Sequence, residues 1–100
     1  MTKPPLPVLV ALGQPTRWRV FETLLPHGSE GMLQGEIAKV LGIEKNLLSV
    51  HLRVMREAGL VEAERRGREV TYRVKPEAAR RAADTMIRAI ENAASTDGTA

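Results

Sequence analysis

A mainly α-helical single domain carrying one small β-hairpin is the fold this sequence predicts. Three observations predict it. Apolar residues recur at three- and four-residue spacing through most of the chain. The period switches to two over residues 69–74. A length of 100 residues, 43% hydrophobic and 27% charged, suffices for one modest core and not for two.

The elements follow in chain order. Leu6 to Leu12 is a short apolar stretch stopped by Gly13. Pro15 suits the first turn of a second helix, where its missing N–H costs nothing. Trp18, Phe21, Leu24 and Leu25 then form a stripe expected in the core, and Pro26 and Gly28 end the helix. Residues 27–32 read as a loop. Leu33, Ile37, Ala38 and Leu41 make the apolar face of a third helix, closed by Gly42 as by a left-handed cap. A fourth helix, from about Glu44 to Ala58, buries Leu47 or Leu48 together with Leu52 and Met55, and Gly59 ends it. Strands over 61–65 and 69–74 flank Gly67, with Val70, Tyr72 and Val74 on the inner face. Pro76 opens an alanine-rich last helix to about Ala94, and residues 95–100 read as a frayed tail on a domain spanning 1–94.

Composition excludes several classes. No cysteine is present, so disulfides, thiolate metal sites and thiol switching are out of reach, and His27 and His51 are the only imidazoles. No cofactor or metal site is expected. The apolar run of Leu6, Val8, Leu9 and Val10 is too short for a signal peptide or a span, so a cytoplasmic protein without a membrane partner is expected. An enzyme is not expected, because no nucleophile–base or carboxylate pair stands at a telling spacing, and Ser49 and His51 fall on different helix faces. The net charge of +3 is concentrated in residues 44–75, which hold eight basic against five acidic side chains. A clustered basic surface attracts polyanions. Three aromatics make no stacking platform for single strands, which leaves duplex DNA.

Helix, glycine turn, helix and basic-tipped hairpin in succession form a winged helix-turn-helix. In that arrangement the second helix of the pair enters the major groove and its N-terminal half faces base edges. Lys45, Asn46, Ser49, Val50 and Arg53 are the exposed side of that helix. Asn46 can pair with adenine, Lys45 with guanine, and Val50 can touch a thymine methyl. Arg65, Arg66 and Arg68 at the hairpin tip suit phosphate or minor-groove contact, with Arg17 a weaker phosphate candidate. His51 is a further site candidate, and its expected role is packing.

The segments ALGQPTRWRVFETLL, GEIAKVLGIEKNLLSVHLRVMREAGLV and RRGREVTYRV resemble the ArsR/SmtB family of bacterial winged-helix repressors over roughly residues 8–75. Ser49-x-His51-Leu52, Glu57-Ala58-Gly59-Leu60-Val61 and the Arg66-Gly67-Arg68 wing match in order and spacing. The resemblance implies a homodimer through the first and last helices that binds a near-palindromic double-stranded DNA operator and leaves it when an inducer binds. Leu6, Leu9, Ala79, Ala83, Met86, Ile87 and Ile90 would form the dimer interface. Glu44 stands where the family commonly caps the recognition helix with serine; it could accept from cytosine, but beside phosphates it is expected to tune affinity downward.

Sensing chemistry departs from the family. Leu33 and Gly35 occupy the positions of a Cys-x-Cys metal motif, and no histidine follows His51. Asp84 and Glu91 without imidazole make a poor transition-metal site. Glu91-Asn92-Ala93-Ala94 resembles the end of an arsenic-responsive branch, with alanines in place of the Cys pair. The inducer is therefore unknown: the chain senses something else, or nothing. The competing class is a winged-helix protein-interaction module without sequence-specific DNA binding, for which Glu44 and Val50 are the best support.

Overall fold

The structure, a computed structural model, describes the backbone of residues 5–99 and the side chains of residues 5–94. Helices α1 (Leu6–Leu12) and α2 (Pro15–Leu24) lead through a 3₁₀ segment (Leu25–Glu30) to strand β1 (Met32–Leu33). Helices α3 (Gln34–Leu41) and α4 (Lys45–Glu57), strands β2 (Val61–Arg66) and β3 (Glu69–Val74), and helix α5 (Pro76–Thr99) follow. The sheet is antiparallel in the order β1-β3-β2.

Local chemistry explains the helix ends. Gln14 accepts from the Arg17 N–H at 2.8 Å as the N-cap of α2, with Pro15 in its first turn. The Arg17 side chain reaches back and donates through Nε to the Ala11 carbonyl at 2.7 Å, satisfying one of the orphan carbonyls at the end of α1. Gly42, at φ +65°, closes α3, and the Ile43 N–H bonds the Ala38 carbonyl at 3.1 Å. That six-to-one bond needs a left-handed residue, which glycine supplies without a Cβ clash. It sets the sharp turn into α4.

The core gathers one stripe from each helix. Val8 and Ala11 of α1, Val20, Phe21 and Leu24 of α2, Ile37 and Leu41 of α3, and Leu48, Leu52 and Met55 of α4 are buried. Leu60, Val61, Tyr72 and Val74 close it from the sheet side, and Ala78 and Ala82 from α5. Between the two leucines left open by the pattern, Leu48 is fully buried and Leu47 is half exposed.

Four expectations are corrected. Trp18 and Leu25 are not in the core: they are 44% and 42% exposed, because the α2 stripe that turns inward is Val20, Phe21 and Leu24. The loop over 27–32 contains the end of a 3₁₀ segment, and Met32 pairs with Tyr72 as β1. β2 runs one residue further than expected, to Arg66. The backbone of α5 stays helical to Thr99, where fraying was expected from residue 95; Ala100 lies outside the described residues. Glu77 in the first turn favours the N-terminus of α5.

Candidate nucleic-acid interface

Burying Leu48, Leu52 and Met55 leaves the opposite side of α4 to solvent. Lys45, Asn46, Ser49, Val50 and Arg53 are all exposed there, and Glu44 is exposed as the N-cap, its side chain making no capping bond. Two of the other sequence-predicted residues are drawn inward. His51 is half-buried, with Nδ1 3.3 Å from an Arg17 terminal nitrogen, and Arg17 is half-buried between His51 and the Ala11 carbonyl. Burial, and secondly the Arg17 charge, hold the His51 pKa below its ordinary value. Arg17 thus ties α1 and α2 to α4.

The ribbon β2–β3 turns through Gly67 and Arg68, with Arg66 paired to Glu69. At its base the Lys75 N–H bonds the Leu60 carbonyl at 2.8 Å. Along one face Arg73 donates to the Ser29 carbonyl at 2.9 Å and to Glu64 at 3.0 Å, and lies 3.8 Å from Glu62. Glu64 also accepts from Arg66 Nε at 3.1 Å. The hydrogen bonds from Arg73, then from Arg66, hold the Glu64 carboxyl below its ordinary range. Arg65, Arg66 and Arg68 are exposed at the tip, but only Arg65 and Arg68 carry a charge without an ion pair among the described residues.

The wing and α4 meet in one cleft. Lys45 of α4, Arg68 of the turn and Gln34 of α3 line an open groove of about 350 Å³. Gln34 was missed from the sequence: its Nε2 donates to Ser49 Oγ at 2.6 Å, an approach between two helices that only the fold creates. Arg73 was missed as the anchor of the wing for the same reason. Among the described residues no cluster of three potential metal ligands occurs, and no helix is long and apolar enough to cross a membrane.

A second surface is apolar. Leu6, Ala83, Met86, Ile87 and Ile90 are exposed, the last at 64%, while Leu9 and Ala79 are half-buried. Between α1, α2 and α5 a groove of about 650 Å³ is lined by Leu9, Leu12, Trp18, Phe21, Ala83 and Met86. In its wall Trp18 lies against Phe21 with ring centroids 5.4 Å apart and the rings tilted by 42°.

This architecture, with a solvent-facing basic helix beside an arginine-tipped wing, defines a winged-helix DNA-binding transcriptional regulator. A helix-turn-helix domain model matches residues 12–64. The chain is 32% identical over 71 residues to the HTH-type transcriptional regulator YgaV of Escherichia coli K12, covering 71% of this chain and 70% of that protein. An ArsR-like transcriptional regulator from Rhodococcus sp. RHA1 superimposes with a TM-score of 0.81 at 25% identity, covering 95% of this chain and 87% of that one. The homodimeric winged helix-turn-helix DNA-binding domain of Mb0332 from Mycobacterium bovis does so with a TM-score of 0.65 at 28% identity, covering 87% and 79%. The chain belongs to the ArsR/SmtB family of winged-helix transcriptional regulators.

Proposed function

We propose that the chain is a cytoplasmic, non-enzymatic repressor. It acts as a homodimer on an operator of two half-sites, without a cofactor. The observation that carries this reading is the pairing of α4 with the wing: Lys45 and Arg68 line one cleft, and Asn46, Val50 and Arg53 are exposed on the same helix as Lys45. The α4 face offers base-edge chemistry and the wing offers phosphate charge. A dimer through α1 and α5 would cover Leu6, Met86, Ile87 and Ile90, and the homodimeric Mycobacterium bovis neighbour supports it. Twofold symmetry then places two α4 helices about 34 Å apart, one turn of duplex. Occupying a promoter in this way excludes polymerase, and an inducer that favours the DNA-free form would lift repression.

Anisotropy titrations with DNA from upstream of its own gene test the reading. Binding should be saturable, sequence-dependent and steeply weakened by salt. Asn46→Ala should relax preference at one base position per half-site, costing roughly 1–3 kcal/mol. Equal, weak binding to promoter and random duplexes would overturn it and leave a protein-interaction module, for which the half-exposed Leu47 and Val50 would be the docking residues.

A further inference from the structure

Ser49 carries a single hydroxyl proton and two lone pairs. It donates to the Lys45 carbonyl one turn back at 3.1 Å and accepts from Gln34 Nε2 at 2.6 Å. Most of its hydrogen-bonding capacity is therefore spent inside the protein, and the contact moves to the residue it holds. With the Ser49 proton on the Lys45 carbonyl, Gln34 presents its nitrogen to Ser49. Gln34 Oε1 and the second Nε2 proton have no partner among the described residues. They belong to a side chain that lines the cleft with Lys45 and Arg68.

We propose that Gln34 is a specificity-determining residue: oriented by Ser49, its amide offers one donor and one acceptor to the major groove and reads an adenine through N7 and N6. The proposal rests on the DNA-binding reading above. A phosphate accepts only, so it would leave Oε1 facing negative oxygen, and guanine presents two acceptors on this edge with the same mismatch. Adenine matches both halves of the amide. Glu36 and Glu69 also line the cleft, but Lys45 and Arg68 form no ion pair among the described residues and are free to take the phosphates. An amide already pinned by Ser49 loses less rotamer freedom on binding than a free glutamine, which sharpens discrimination.

The test is sequence selection from a randomised duplex pool, followed by anisotropy on single-substitution operators. The proteins are the full chain and its Gln34→Ala, Gln34→Glu and Ser49→Ala variants, each first checked by thermal melting. The wild type should prefer adenine at a half-site position distinct from the one that Asn46→Ala relaxes. Gln34→Ala should lose about tenfold or more discrimination at that position, with salt slope and random-sequence affinity kept. Gln34→Glu, which matches glutamine in shape but only accepts, should shift the preference toward cytosine. Ser49→Ala should weaken discrimination at the same position. A uniform loss at every position, or an unchanged profile in the Gln34 variants, overturns the proposal while leaving DNA binding standing. A wild-type profile without any preference instead overturns the DNA-binding reading itself.

Discussion

Protonating His51 would set two cations face to face at 3.3 Å, since Arg17 is the charged side chain bonded to it among the described residues. The folded chain therefore binds that proton more weakly than the unfolded chain, the ring being partly desolvated as well. For a histidine with a lowered folded pKa, stability is complete above the ordinary value near 6.5 and is lost as pH falls below it. Thermal melts should show a falling Tm from pH 7 to 5, and His51→Gln should flatten that slope; a wild-type Tm constant over this range would contradict the contact. Gly31 is a second such residue. It sits at φ +68°, where a Cβ would collide with the Tyr72 carbonyl oxygen across the β1–β3 pair. Gly31→Ala should cost on the order of 3 kcal/mol by urea unfolding, through strain and loss of that pairing. Neither feature was legible in the sequence. The pattern ranked His51 toward packing but could not name Arg17 as its partner, 34 positions away. Spacing alone also could not say that Val20 turns inward where Trp18 and Leu25 do not.

The wing is an element whose outline was legible and whose electrostatics were not. Alternation over Val70, Tyr72 and Val74 located β3, and the arginines marked the tip. β1, only two residues long, has no period to read. The uneven use of the three arginines follows from cross-strand neighbours that the sequence separates. Glu64 already engages Arg66, so Arg65→Ala and Arg68→Ala should weaken binding to all duplexes and each lower the salt slope by about 1, whereas Arg66→Ala should do less. Glu64→Gln should release Arg66 and raise affinity at low salt. Equal effects from all three alanine variants would show that the ion pair opens on DNA. Removing Arg73 should unseat the whole ribbon from the Ser29 carbonyl and act on stability first.

The whole molecule is elongated, 59 × 24 × 21 Å, because α5 projects from the core. Its apolar positions at Met86, Ile87 and Ile90 were legible from helical spacing, and their exposure on a single chain is what a partner surface requires. Substituting glutamate at both Ile87 and Ile90 should halve the mass seen by light scattering and abolish tight operator binding; an unchanged mass would remove α5 from the proposed interface. Such a chain would keep its winged core, since Ala78 and Ala82 are the buried positions of α5.

Beyond Ala82, α5 buries no residue through Ala94. In the proposed assembly the apolar side of this half is covered only when two chains meet, so the operator-competent form depends on protein concentration. Regulatory strength would then track the square of supply: freshly synthesised protein must accumulate before it silences a gene, and growth that dilutes it lets transcription restart.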